Sequence, residues 1–368
     1  MEISLCMIVR NEEGCLDACL QSVLGAVDEI VILDTGSTDG TKDIARKYTD
    51  RVYDYVWEDD FSAARNASLS LARKPYLLWL DADDVLDPPE REKLIALKRE
   101  LNGEIDAVMM PYQYSSNRDG TPSLVFDRER IIRRDAGFSF SGVVHEAIAV
   151  HGNVVREDIV IRHTGEHGQS SSRRNLMLYE RALARGAALF PRDRYYYARE
   201  LKNAGRYECA LEEFGAFLQE DGWAENRIDA HIQRGECCRL LGRYAQAHAA
   251  YFAALDEGEP RAEALCALGA CLLEEGRLDS SALWYRAALL CPKPKEKGAF
   301  VSPDAYGYIP LMQLCVIYDR MGLTRLAAQM NEQALLLRPG DEHAHINRAY
   351  FADKLRKDGD GKKHPGKS

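Results

Sequence analysis

The run Tyr76-Leu77-Leu78-Trp79-Leu80 is apolar on both faces of any strand it forms, and Asp81-Ala82-Asp83-Asp84 follows it at once. A strand without a polar face has to be covered from both sides, which happens in the middle of a parallel sheet flanked by helices. The preceding residues supply such a sheet. Strand-like runs at Ile3–Val9, Glu29–Leu33 and Arg51–Val56 alternate with amphipathic stretches at Glu13–Leu24, Thr38–Tyr48 and Phe61–Ala72. Ser37 or Thr38 is the expected cap of the second of these helices. This β-α-β-α-β-α-β order predicts a doubly wound α/β sheet whose ligands bind beyond the carboxyl ends of the strands.

Those ends carry the chemistry-bearing residues: Val9-Arg10-Asn11-Glu12 after the first strand, Asp34-Thr35-Gly36-Ser37 after the second, and the Asp81 cluster after the fourth. Two carboxylates separated by one residue at a strand end can serve a divalent ion and a ligand hydroxyl together. Charge favours that reading. Residues 1–168 hold 19 basic and 31 acidic side chains, a net of −12, whereas residues 169–368 are at +2. So acidic a domain argues against a nucleic-acid partner, and it needs a cation to hold a phosphorylated ligand. The bland alternatives are that Asp34 and Ser37 cap a helix, that Arg65 is a surface residue paired with Asp60, and that Asp84 and Asp87 cap the helix expected from Pro88 to Leu101. Further strands are expected at Asp106–Tyr114 and Leu124–Arg133, joined by a loop with Asn117-Arg118-Asp119-Gly120, and near Ala147–Val150 and Ile159–Arg162.

With Asp60-Phe61-Ser62-Ala63-Ala64-Arg65-Asn66 added, the strand-end motifs form an ordered set over residues 1–165 that resembles the inverting family 2 glycosyltransferases of the GT-A fold. The resemblance implies a UDP-sugar donor and Mn²⁺ or Mg²⁺. It places base and ribose at Val9, Arg10, Asn11, Glu12 and Asp34, the nucleotide near Arg65 and Asn66, the ribose-side carboxylate at Asp81 and the metal ligand at Asp83. An inverting transfer also needs a base for the acceptor and electrophilic help for the leaving diphosphate. Similar enzymes carry a Val-His-Glu segment followed by His-Thr-Gly, which here are Val144-His145-Glu146 and His163-Thr164-Gly165. Glu146 is the candidate base, with His145 beside it and Asp127 as its rival, and His163 is a candidate for the metal or diphosphate.

After Gly165–Ser172, a linker by composition, the pattern turns helical and repeats. Gly205, Gly242, Gly276 and Gly322 each separate two helical stretches, with Ala210, Ala247 and Ala327 five residues on and Phe214, Tyr251 and Tyr285 nine residues on. A period near 34 with a turn glycine, a small residue at the helix crossing and a late aromatic resembles the tetratricopeptide repeat. The expected organisation is a GT-A-like domain over 1–168, an all-α repeat solenoid over 173–355 interrupted by a non-helical insertion at 292–307, and a disordered tail over 356–368.

That combination resembles bacterial glycosyltransferases that modify peptides or proteins, including the S-glycosyltransferases of glycosylated bacteriocins. It implies transfer of a hexose or N-acetylhexosamine to a Ser, Thr or Cys side chain, with the repeats holding the acceptor or pairing two copies as a homodimer. A cell-envelope or lipid-linked saccharide acceptor is the alternative, and a non-catalytic scaffold with a vestigial first domain is the reading from another class. No apolar run is long enough for a membrane span, and the chain opens into a strand instead of a signal peptide, so a cytoplasmic protein is expected. Ten scattered cysteines without a Cys-Xaa-Xaa-Cys pair read as reduced core thiols.

Overall fold

In the computed structural model, residues 1–117, 120–165, 169–294 and 301–361 are described. The first elements are β1 (Ile3–Val9), α1 (Leu16–Ser22), β2 (Glu29–Asp34), α2 (Thr41–Ala45), β3 (Val52–Asp54), α3 (Phe61–Leu71) and β4 (Tyr76–Trp79). Strands β3, β2, β1 and β4 lie side by side and parallel, as the alternating pattern predicts. Then come β5 (Asp84–Val85), α4 (Pro88–Glu100), β6 (Ala107–Ser116) and β7 (Pro122–Arg133). The first part of the fold closes with β8 (Phe140–Ser141), β9 (Ala147–Ile148), β10 (Val154–Arg156) and β11 (Ile161–His163). The sheet order is β3-β2-β1-β4-β7-β6-β11-β5, with β7 antiparallel to β4 and β10 also paired to β6.

The central strands are buried on both faces. Leu5, Met7 and Leu78 pack with Leu16 and Leu20 of α1 and Leu94 and Leu97 of α4, while Cys6, Leu77 and Trp79 pack with Leu69 of α3 and Phe140. Two local expectations are corrected. The helix after β2 starts at Thr41 with Gly40 at its N-cap, because Ser37 N donates to Asp34 and Thr38 N donates to Asn11, folding residues 35–40 back as a loop. Strands β5, β8 and β10 have two or three residues each, too few to show a period. Arg118 and Asp119 of the expected loop, and residues 166–168 of the linker, lie outside the described residues.

Helices α5 (Gln169–Ala184), α6 (Pro191–Asn203) and α7 (Tyr207–Phe217) follow. The chain divides into two compact units, and the first takes in Met1–Ser116 and Leu124–Cys209, so it includes α5 and α6. Asn117–Ser123, Ala210–Glu296 and Phe300–Ser368 belong to the second unit, which is built on the helices α8 (Ala224–Leu240), α9 (Tyr244–Asp256), α10 (Ala262–Glu274), α11 (Leu278–Leu290), α12 (Tyr308–Arg320), α13 (Thr324–Leu337) and α14 (Glu342–Gly361). Of the insertion, residues 295–300 lie outside the described residues, and Pro303–Tyr306 is a short 3-10 turn. Helix α14 runs into the stretch expected as a tail, whose residues 362–368 are likewise outside the described set. All ten cysteines are free.

Gly205, Gly242, Gly276 and Gly322 all adopt φ between 72° and 76°, the left-handed turn that joins the two helices of each hairpin. Two other glycines serve packing. A Cβ on Gly235 would lie 2.3 Å from the Tyr251 ring, and one on Gly269 would lie 2.9 Å from the Tyr285 ring. Each tyrosine therefore lies directly on the neighbouring helix backbone, at the same offset in two successive hairpins. Gly215 on α7 has nothing within 4 Å of its would-be Cβ. Gly215→Ala should raise stability by roughly 0.5–1 kcal/mol through helix propensity, whereas Gly235→Ala should lower it by about 1–3 kcal/mol through overpacking. Urea unfolding of the two variants checks the opposite signs; a shared sign would contradict this account of the hairpin packing.

Candidate active site

The side chain at the centre of the site is Trp79, the last residue of β4. The guanidinium carbons of Arg65, Arg128 and Arg130 lie 4.8, 4.8 and 4.1 Å from its ring. Helix α3 supplies the first and alternate residues of β7 supply the other two. These cations are matched by carboxylates. Arg65 donates through Nε to Glu146 Oε1 and through Nη2 to Asp81 Oδ1, while Arg130 donates to Asp84 Oδ2 at 2.9 Å in a pair with no exposed side-chain surface. Arg128 reaches the backbone oxygen of Glu146 at 3.1 Å. Arg65 is thus a buried connector between the end of β4 and the loop before β9, not a surface partner of Asp60. Asp60 instead caps α3 by accepting from Ala63 N.

The carboxylates of the Asp81 cluster differ sharply. Asp84 is fully buried and accepts from Tyr112, Arg130 and the Asp81 amide. The Asp81 side chain is 36% exposed. Burial opposes its ionisation, but the charges of Arg65, Arg130 and Arg128 outweigh it and hold its carboxyl at about 2. Asp83 is partly exposed and stands 3.3 Å from His163 Nδ1. Burial alone would lower the His163 pKa, but Asp83 and Asp84 raise it to about 9. Asp83, Asp84 and His163 offer ligand atoms that all lie within 4.8 Å of one another. Gly165 keeps that corner open, since a Cβ there would fall 2.2 Å from Asp83 Oδ2 and 3.0 Å from the His163 ring. Because Asp84 is already engaged, Asp83 and His163 are the residues that fit a divalent cation.

Around the first two strand ends, Asn11 (φ 56°) accepts from Thr38, and Glu12 N donates to the Thr41 hydroxyl at 2.7 Å. Burial raises the pKa of Glu12, and the charges of Asp83 and Asp81 add to it. Asp34 is buried; its Oδ1 accepts from Gly36 N and Ser37 N and stands 3.6 Å from Lys42, while its Oδ2 is buried without a hydrogen-bond partner. These turn contacts replace the helix cap. Val9 gives its carbonyl to Thr35, and Arg10 is exposed.

Three expected site residues are turned elsewhere. Both ends of the Asn66 amide bind the Phe140 backbone, so Asn66 fixes β8. His145 (φ 56°) points its Nε2 to Glu200 Oε1 at 2.8 Å and stacks on Tyr196 at 4.3 Å, both on α6. Asp127 pairs with Arg156. The sequence reading missed Arg128, Arg130 and Tyr112; the first two have as their signal the alternation Arg128-Glu129-Arg130 next to the apolar pair Ile131-Ile132, and Tyr112 has none.

Removing the shared cation tests this arrangement. Arg65→Met leaves Asp81 and Glu146 without their partner and should lower stability at neutral pH by about 3–5 kcal/mol. In the wild type the depressed Asp81 pKa stabilises the fold above about 4, and that contribution is lost as the pH falls towards 2. In the variant, burial without the Arg65 charge pushes the Asp81 carboxyl upward instead, so it should gain stability as the pH falls from neutrality towards the ordinary carboxylate range. The stability gap, measured by urea unfolding from pH 7 to pH 3, should therefore narrow on acidification; a pH-independent gap would sink the charge-pair account.

Residues 4–157 match the family model described as glycosyl transferase family 2. Similar curated proteins include the SPbeta prophage-derived glycosyltransferase SunS of Bacillus subtilis, 30% identical over 218 residues that cover 56% of this chain and 50% of that protein. The lipopolysaccharide core biosynthesis glycosyltransferase LpsC of Rhizobium meliloti is 34% identical over 167 residues, 42% of this chain and 59% of LpsC. A TPR repeat-containing protein of Synechococcus elongatus is 48% identical over 85 residues, 23% of this chain and 21% of that protein. The chain thus spans between about one fifth and three fifths of the length of these relatives. With the parallel β3-β2-β1-β4 core and the carboxylates at its strand ends, the match identifies residues 4–157 as a glycosyl transferase family 2 domain, carried ahead of helical hairpins of the tetratricopeptide type.

Proposed function

We propose that the protein transfers a hexose or N-acetylhexosamine, with inversion, from a UDP-sugar to a Ser, Thr or Cys side chain of a peptide or protein. The observation that carries this reading is the paired state of the strand-end carboxylates. Asp81 is held ionised yet partly exposed, Asp83 lies beside His163, and Asp34 keeps one buried oxygen without a partner. A nucleotide offers N–H and O–H donors to the first and third of these, and its diphosphate needs the positive charge that the second can hold.

In this mechanism Asp34 Oδ2 accepts from the base, and Asp81 accepts from a ribose or sugar hydroxyl. Asp83 and His163 would hold a divalent cation, which supplies charge neutralisation at the leaving diphosphate. Glu146 takes the proton of the attacking acceptor, and Arg65 fixes the carboxylate through one oxygen. The likeness to SunS supports glycosyl transfer, and the helical repeats favour a peptide acceptor; the likeness to LpsC, a lipopolysaccharide core biosynthesis enzyme, favours the alternative of an envelope saccharide. No helix among the described residues is long and apolar enough to cross a membrane.

Donor binding is tested by calorimetric titration of UDP with Mn²⁺ and with EDTA, in the wild type and in Asp83→Asn. Affinity should fall at least tenfold on chelation and by a similar factor in the variant, as expected where a diphosphate would otherwise meet a net-negative domain. Equal affinity in all four titrations would remove the metal-assisted reading.

Glu146→Gln tests the base. It should keep UDP affinity within a few-fold while the rate of sugar transfer drops by roughly 10²–10⁴, with each nucleotide sugar of a panel assayed for release of its diphosphate. Transfer at the wild-type rate would return Glu146 to a purely structural role as the counter-ion of Arg65. A thiol acceptor should show the smaller loss, because a thiolate forms without strong help from a base.

A further inference from the structure

The second unit contains a group of side chains that glycosyl transfer does not use. Cys271 and Glu275 lie four residues apart at the end of α10, on one face of that helix, and His248 meets them from the neighbouring α9. Their ligand atoms all lie within 4.8 Å of one another. Cys271 is fully buried, whereas the His248 and Glu275 side chains are about one-fifth exposed, at 20% and 21%. His248 Nε2 and Glu275 Oε1 are 2.6 Å apart, yet both atoms are buried and neither makes a hydrogen bond. Two buried polar atoms thus stand together without a hydrogen bond, with a thiol sulfur within 4.8 Å of both.

From this convergence we propose a binding site for a zinc-class divalent cation, held by His248, Cys271 and Glu275 between α9 and α10. One thiolate, one imidazole and one carboxylate form the mixed sulfur, nitrogen and oxygen set that zinc accepts in four-coordinate sites, with water completing the shell from the exposed side. The charges balance: a thiolate and a carboxylate neutralise a dication. A buried thiolate is costly alone, so cation and thiolate stabilise each other, and the thiol proton leaves to solvent as the metal binds. The neighbouring charges leave the set free to bind. Glu274 pairs with Arg239, and Arg277 stands 3.9 Å from the other oxygen of Glu275. The ion would tie two successive hairpins, acting on the repeats instead of the sugar-transfer chemistry.

The test uses the full-length chain, freed of metal with a chelator and titrated with Co²⁺ as a spectroscopic stand-in for zinc. A thiolate-to-cobalt charge-transfer band should appear with about one equivalent and disappear when Zn²⁺ is added. Cys271→Ser should lose the band. His248→Gln and Glu275→Gln should weaken binding by at least the roughly tenfold that loss of an outer-shell partner costs, and Asp83→Asn should leave the band unchanged. The two glutamine variants change side chains that are about one-fifth exposed, unlike the fully buried Cys271, and keep the comparison available if Cys271→Ser does not fold. Absence of the band in the wild type, or a band of undiminished affinity in His248→Gln, would overturn the proposal and leave His248 and Glu275 as an ordinary ion pair between helices.

Discussion

Burying charge around Trp79 is the constraint that organises the first unit. Arg65, Arg128 and Arg130 crowd one indole, and four carboxyl groups, Asp81, Asp84, Glu129 and Glu146, lie on or next to them. Removing such groups from water is expensive unless each finds a partner of good geometry, and the attraction of guanidinium for an aromatic face offsets part of the cost. The partners come from four separated stretches of chain: α3, the end of β4, β7 and the loop before β9. Arg65 has both of its carboxylates only when α3, the end of β4 and the loop before β9 are all in place, and Arg130 meets Asp84 only when β7 lies beside that strand end. The cluster therefore specifies the arrangement of the sheet's working end as well as occupying it.

The same logic explains why α5 and α6 belong with the sheet. The loop at Gly142–Glu146 has little regular structure of its own, and it contains His145 in a left-handed conformation. Its backbone is tied down from the helices. Tyr179 donates to the Val144 carbonyl at 3.0 Å, Val143 N donates to Asp193, and Arg192 donates to the His145 carbonyl. Glu200 gathers His145, Ser172 and Asn175 around one buried carboxylate. Glu146 owes its place beside Arg65 to this scaffold. Helices α5 and α6, which fall within the span expected as repeats, are physically the wall behind the loop.

What could be read in the sequence follows from the range of the forces involved. The parallel strands and the Asp81 cluster are legible because burial on both faces leaves an apolar run with no polar interruption, as at Tyr76–Leu80. The repeat was legible because a left-handed turn needs glycine each time, as at Gly242 and Gly276. Pairings at long range left no such trace. Nothing local distinguishes Arg130, fully buried, from Arg133, which is partly exposed and paired with Asp106. Asn66 looked like a ligand-facing polar residue because its motif is shared, whereas its amide mimics a strand partner for Phe140. The missing division between helices that repeat and helices that support the loop is of the same kind, since it depends on Tyr179, Asp193 and Glu200 meeting residues more than thirty positions away.

The degree to which each carboxylate is already satisfied separates structural acids from working ones. Asp84 has three donors and no exposure, so any ligand it took would first have to displace Arg130, Tyr112 or the Asp81 amide. Glu200 is in the same position, with donors from His145, Ser172 and Asn175. Asp34 is different: one oxygen is fully occupied by its own turn and the other is buried without a hydrogen bond. A buried acceptor in that state costs free energy in the isolated protein, and an incoming N–H or O–H recovers it, so the vacancy favours binding over any further tightening of the fold. Asp81 completes the series from the other direction. Its charge is fixed by Arg65 so firmly that it cannot act as an acid near neutrality, which leaves hydrogen-bond acceptance as the chemistry open to it.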